Sequence, residues 1–375
     1  MTAAKTPPPR PRRLFRRTAL GLVSTLAALL LAHGLAWRWM TGALAVGFSD
    51  WATMRRAQGW EIEHELPYRG GWPFAARLTV PGLRVAGRSA ALPDDFGFDA
   101  PEFVLQIAPP RLDRLVLTMP GELRLRLGNA EILLGAERLE ATLALEPGLP
   151  PRALDVLAER LRATTPEGPF EAQRVAAALS ARSGMADAEP IVMLEAAAEG
   201  VMLPPAPASP ALAAFGRHVE QARLEAVLTG PLPLPGALPA YGPAAVAAAW
   251  RDAGGAVELR RMSLRWGTLV GEGEMRVTLD PALQPAAAGT LRLSDAPAAL
   301  ESMAAAGVIT RGAARTAQGI ATLLGRVPEG GRVPQVELPL MVANGTVALA
   351  RIPLLRLAPL AWPDAAVPQR AMSPR

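Results

Sequence analysis

From Thr18 to Trp37 twenty consecutive residues carry no formal charge. At about 1.5 Å per helical residue they reach ~30 Å, the thickness of a bilayer's hydrocarbon core. The stretch predicts one membrane-spanning helix over residues 18–39, with Trp37 and Trp39 around Arg38 as an interfacial aromatic belt. A cleaved signal peptide, with Ala43-Leu44-Ala45 as its small-residue site, is the competing reading; the run exceeds the ~7 to 15 apolar residues of such peptides, which favours an uncleaved anchor. His33, inside the span, reads as a tolerated or interface-facing residue. Leu44, Phe48 and Trp51 then fall at i, i+4 and i+7, so an amphipathic stalk helix is expected over 40–59, ending at Gly59.

From there the period changes to two. Leu78 and Val80 precede the Pro81-Gly82 turn, Leu83 and Val85 follow it, and Phe103, Leu105 and Ile107 alternate with Glu102, Gln106 and Ala108. Leu115, Leu117 and Met119 form another run. In Glu122-Leu123-Arg124-Leu125-Arg126-Leu127 every second residue is leucine and its neighbours are charged, the pattern of a sheet with one dry and one wet face. Leu139, Leu143 and Leu145 repeat it. Later, Val257 and Leu259 change phase to Met262, Leu264 and Trp266, which predicts a bulge near Arg260 and Arg261. Met275, Val277 and Leu279, then Leu291 and Leu293, continue the series, and Asn344-Gly345 is a hairpin dipeptide before Val347 and Leu349.

A few helices interrupt the strands. Leu154, Leu157 and Leu161 suggest one across Arg152 to Ala163. Ser209-Pro210 opens another, carrying Leu212, Phe215 and Val219, with His218 on its polar side. Asp295-Ala296-Pro297 opens a third, and Ile320, Leu323 and Leu324 belong to a fourth that ends near Gly325. The expected fold is mainly β with a few helices: an N-terminal transmembrane helix followed by elongated, curved antiparallel sheet. The expected organisation is a basic tail (1–17), the span (18–39), the stalk (40–59), a first β-rich half (60–230), a Pro-rich connector (231–240), a second β-rich half (241–362) and a disordered tail (363–375).

Charge refines this picture. The chain has 39 basic and 34 acidic residues. Six of the basic ones, Lys5, Arg10, Arg12, Arg13, Arg16 and Arg17, lie in the first 17 residues, leaving 33 against 34. The cluster predicts a cytoplasmic N-terminus with the bulk of the chain on the far side of the membrane. The rest is near neutral with no basic block interleaved with aromatics, so a nucleic-acid partner is not expected.

Chemistry is sparse. With no cysteine and three histidines, His33, His64 and His218, thiol catalysis and thiolate metal sites are excluded. No phosphate loop, nucleophile elbow or zinc-helix motif occurs. Gly271-Glu272-Gly273-Glu274 lacks the third glycine of a dinucleotide fingerprint and reads as a turn. Asp94-Asp95 reads as a solvated turn, and His64, among Glu61, Glu63 and Glu65, as part of an exposed strand edge. Neither cofactor, metal nor enzymatic activity is expected.

Trp51, Gly59-Trp60 and Gly71-Trp72-Pro73-Phe74 near the start, and Asn344-Gly345-Thr346-Val347-Ala348-Leu349, Ile352-Pro353-Leu354 and Leu357-Ala358-Pro359-Leu360 near the end, resemble an uncharacterised family of alphaproteobacterial envelope proteins, domain of unknown function 2125. The resemblance covers most of residues 37 to 362; Trp72 replaces the family's phenylalanine and Ala350 its glycine. The plan is also similar to that of AsmA-like proteins, one inner-membrane helix with a long periplasmic β structure implicated in lipid traffic. The resemblance implies a single-pass inner-membrane protein facing the periplasm.

Two functions follow. In the first, the protein binds or transfers lipid through an apolar sheet face, to which Leu123, Leu125, Leu127, Leu139, Leu143, Met275, Val277 and Leu279 would contribute. In the second, it is a non-enzymatic scaffold or assembly factor for another envelope protein. Alternation declares a dry face without saying whether lipid or protein keeps it dry.

Overall fold

The computed structural model describes residues 12–87, 96–146, 151–181, 190–206, 209–230, 238–326, 334–349 and 352–362. Asp94-Asp95, the first eleven residues, most of the proline-rich connector and the tail from 363 lie outside these.

A single helix, α1 (Arg12–Ala57), contains both the apolar span and the stalk. Residues Leu20–Ala57 include a window of mean hydropathy 1.8 with no residue buried inside the protein, long and apolar enough to cross a membrane. The helix ends as its sequence predicts. Gly59 adopts φ 87°, its N–H reaches the Arg56 carbonyl (3.0 Å), and the Trp60 N–H reaches that of Arg55 (3.1 Å), the paired bonds of a Schellman stop.

The strands follow. First come β1 (Glu61–Glu63), β2 (Tyr68–Gly70), β3 (Ala76–Gly87), β4 (Phe96–Ala108), β5 (Arg111–Thr118), β6 (Leu123–Leu127), β7 (Ala130–Gly135), β8 (Arg138–Ala144), β9 (Ala153–Thr165), β10 (Gly168–Ala181) and β11 (Pro190–Met202). After α2 (Pro210–Phe215) and β12 (His218–Thr229) comes α3 (Leu238–Asp252), kinked at Gly242-Pro243. The chain continues with β13 (Ala256–Trp266), β14 (Leu269–Leu279), β15 (Pro285–Ser294), α4 (Ala296–Ala305), α5 (Arg311–Leu324), β16 (Gln335–Ala343), β17 (Thr346–Leu349) and β18 (Ile352–Arg356).

Among the described residues, all eighteen strands form one antiparallel sheet. At its first edge β1 and β2 pair end to end with β3. Between β4 and β9 the sheet divides into two lanes, one through β5 and β8 and the other through β6 and β7. From β9 it runs as a meander to β18, with β12 pairing directly with β13.

Register shifts fall at Glu225/Ala226 opposite Arg261 and Leu259, where the sequence predicts a bulge. The β16–β17 hairpin turns on Asn344 (φ 52°) and Gly345 (φ 69°), both in the left-handed region that an Asn-Gly turn of this type demands.

Three expectations are corrected. Arg152 to Ala163 is not a helix but most of β9. Arg160 has φ 50°, and the inward phase switches there from Leu154, Val156 and Ala158 to Leu161 and Ala163. That slip returns Leu161 to the face of Leu154, a helix-like spacing, while Leu157, opposite Glu140 and Ala176, stands on the other face. The same row carries Gln173 on β10 and Gly200 (φ 59°) on β11, so neighbouring strands switch together. The helix opened by Ser209-Pro210 stops at Phe215, with Gly216 at φ 81°, and His218 and Val219 belong to β12. Gly271 to Glu274 is the middle of β14, not a turn. There the glycines lie under the side chains of the next strand: a Cβ on Gly271 would sit 3.0 Å from Leu293 Cδ2, and one on Gly273 would sit 3.3 Å from Leu291 Cδ1.

Helices pack at both ends of the sheet, and in its middle α3 seats Trp250 against Thr229 of β12 and α2 lays Phe215 on Trp266 of β13. Leu44, Phe48 and Ala52 of α1 form a core with Leu78, Val80, Leu83, Ala100 and Leu105 of β3 and β4. At the other end Ala296 of α4 and Ala321 of α5 close over Leu293, Val336 and Leu338.

Candidate binding site

Directly opposed residues of an antiparallel ladder share a face, so the pairings trace each face from strand to strand. One row runs Leu115, Leu143, Leu154, Leu179, Leu194, Ala226, Leu259, Met275, Gly289 and Leu340. It is apolar on all ten strands from β5 to β16, which at about 4.8 Å per strand is roughly 43 Å. The adjacent row, Ala141, Val156, Ala177, Ala196, Leu224, Met262, Gly273, Leu291 and Leu338, is equally free of charge.

The other face is a charge ladder. Arg138 meets Glu140 (2.7 Å), Arg223 meets Glu199 (3.8 Å), Arg261 meets Glu225 (3.8 Å), Arg276 meets Glu258 (3.0 Å) and Arg292 meets Glu337 (3.0 Å). Hydrogen bonds from Arg138 to Glu140 and from Arg292 to Glu337 raise the pKa of both guanidinium groups above the ordinary arginine value. A cleft of about 460 Å³ on this face is lined by Arg174, Glu195, Arg223, Glu225 and Arg261 among others. Alternating signs leave it little net field with which to select an ion.

The apolar face holds a larger cavity, about 870 Å³, where α1 crosses β4, β5 and β8. Trp39, Met40, Leu44, Phe48 and Trp51 supply the helical wall; Phe103, Leu105 and Ile107, then Leu112, Leu115 and Leu117, and finally Leu143 and Leu145 supply the sheet wall. Among the described residues, none of those lining it carries a charge. The size lies within the ~300 to 1,000 Å³ of sites that enclose small molecules. Two small residues on the helix, Ala43 and Gly47, keep it open, and a Cβ on Gly47 would meet nothing within 4 Å. The cavity begins two residues after the uncharged span ends, and its Leu115 and Leu143 are the first members of the long apolar row.

The eight residues singled out by alternation divide among four settings. Leu123 is 3% exposed and belongs to the core under α1, with Leu139 packed against it. Leu125 and Leu127 are half-buried on the β6–β7 lane, opposite Phe98 and Phe96. Leu143 lines the cavity. Met275 lies on the same ladder row as Leu143, with Val277 and Leu279 further along β14, all half-buried. Alternation missed the helical wall, Trp39, Met40, Phe48 and Trp51. Its signal was present: the apolar stripe of α1 continues past the span without a break.

Residues 37–358 match the bacterial family described as uncharacterised proteins conserved in bacteria, DUF2125. The chain belongs to this family. No curated protein and no solved structure matches it. The DUF2125 match begins at Trp37, at the end of the span, and takes in every strand of the sheet and the whole lining of the cavity.

Proposed function

We propose that this DUF2125 protein is a lipid-binding protein of the bacterial envelope. In this reading α1 anchors it in the inner membrane with the basic N-terminus in the cytoplasm, and the sheet stands in the periplasm. An acyl chain occupies the cavity between α1 and the sheet, and the apolar rows give it a path away from the bilayer. The role is binding or transfer, with no catalysis.

The observation that supports it is position. An uncharged cavity starts where the apolar span stops, so a chain leaving the bilayer along α1 passes from one apolar surface to another without crossing water. The similarity of plan to AsmA-like proteins, one inner-membrane helix with a long periplasmic β structure, adds an architectural analogy.

Gly47→Leu tests it. The new side chain projects into the cavity, and leucine replaces glycine inside a helix, worth about 0.5–1 kcal/mol in favour of folding. The full chain would be purified in mild detergent and its bound lipid measured by mass spectrometry against wild type. Loss of lipid with an unchanged or higher melting temperature is the expected result. Equal lipid content in the two proteins would remove the cavity as the site.

A further inference from the structure

The turn between β2 and β3, Gly71-Trp72-Pro73-Phe74, does not line the cavity, yet it is bound to α1 at the level of the span itself. The His33 Nε2–H donates to the Pro73 carbonyl (2.7 Å), and Trp37 Nε1–H donates to the carbonyls of Ala75 (3.0 Å) and Gly70 (3.3 Å). The Trp72 ring lies over Gly34, 3.7 Å from where a Cβ would be, and packs on the rings of His33 (4.8 Å between centroids) and Trp37 (5.9 Å). His33 is four residues inside the last residue of the uncharged stretch, about 6 Å along the helix.

A backbone turn tolerates a low-dielectric setting only when its polar groups are paired. This one is paired. The N–H groups of Phe74 (3.0 Å) and Ala75 (2.9 Å) both reach the Gly71 carbonyl, Pro73 has no N–H, and α1 side chains take the three carbonyls named above. Gly71 is required for the tightness: at φ 88° a Cβ would lie 2.6 Å from the Ala75 oxygen. With the Gly70, Pro73 and Ala75 carbonyls held by α1, the turn presents Phe74, 83% exposed, and half of Trp72 outward. In water that arrangement wastes a phenylalanine.

We propose that this turn is a second membrane contact: Trp72 and Phe74 enter the outer leaflet beside α1 and fix the angle at which the sheet, and with it the cavity mouth, meets the bilayer. The proposal rests on the reading of α1 as a membrane span. It accounts for His33, whose ring hydrogen-bonds the turn instead of standing unpaired in lipid.

Because the chain has no cysteine, single-cysteine probes report one position each. Full-length Leu26→Cys, Phe74→Cys and Asp50→Cys proteins would carry an environment-sensitive fluorophore in phosphatidylethanolamine/phosphatidylglycerol liposomes. Quenching would be measured with nitroxide lipids and with aqueous iodide. The expected result is a blue-shifted, lipid-quenched and iodide-protected probe at 26 and at 74, and the opposite at 50. A lipid-quenched 26 with an iodide-quenched 74 would overturn the turn contact and leave the span standing; an unquenched 26 would overturn both. Protection of 74 from both quenchers would place it against a second copy of the chain and also overturn the proposal.

Discussion

The same alternating pattern builds two different things in this sheet. Under α1, Leu78 and Val80 are 1% and 0% exposed and belong to a closed core. Five to eight strands away, on the same apolar face, Leu194, Leu224 and Met262 are only half-buried, and Leu179 is 40% exposed. The cores under α1 and under α4 with α5 lie toward the ends, while α2 and α3 touch the middle strands at Trp266 and Thr229. A strand's periodicity fixes which side is dry; what lies on top decides whether that side is core or surface. The comparison is sharpest at the cavity, where α1 leaves β3 and a packed interface becomes an open one.

The largest contrast comes from a carboxylate placed in each region. Leu78→Asp buries an unpaired charge and costs several kcal/mol, of the order of the ~5 to 15 kcal/mol that hold a domain together. A thermal melt should lose its cooperative transition. Leu224→Glu on the open face leaves the new charge within reach of water, so the protein still folds while its bound lipid falls. Similar loss of folding in both variants would make the two regions one core.

Truncation should show the same order with smaller values. Leu78→Ala removes a fully packed side chain and costs about 2–5 kcal/mol, whereas Leu224→Ala, half-buried from the start, costs less, about 1 kcal/mol, as read from denaturant midpoints. Smallest is the charged face. Arg223→Ala breaks the pair with Glu199, both partners being well exposed, and should change stability by less than ~1 kcal/mol with lipid content unaffected. A drop in bound lipid in that variant would move the ligand to the wrong face.

Much of the fold is legible in the sequence because local chemistry dictates it. The uncharged run gives α1, Asn344-Gly345 gives its hairpin, and the phase change around Arg260 gives its bulge. The misread element, β9, shows where this stops: a positive φ at Arg160 brings Leu161 onto the face of Leu154 while Leu157 faces the other way, and single-strand periodicity cannot distinguish that slip from a helix. Gly271 and Gly273 are similar, since their small size answers to Leu293 and Leu291 on the next strand and says nothing local about turns. The candidate site is half legible. Leu143 and Met275 announce their face, but their shared row exists only through the strand pairings between them, and Trp39, Phe48 and Trp51 join it only because α1 crosses β5 at that point.

The central claim is that lipid lies along the apolar rows between α1 and β16. It is tested most directly by a phospholipid with a diazirine at the end of one acyl chain, reconstituted with the full chain, photolysed, and its adducts mapped by peptide mass spectrometry. Adducts on the α1 span itself are common to any membrane helix. The account predicts additional adducts on peptides containing Leu115, Leu143 and Leu194, and their loss in Gly47→Leu. Adducts restricted to residues before Trp37, in wild type and variant alike, would contradict it.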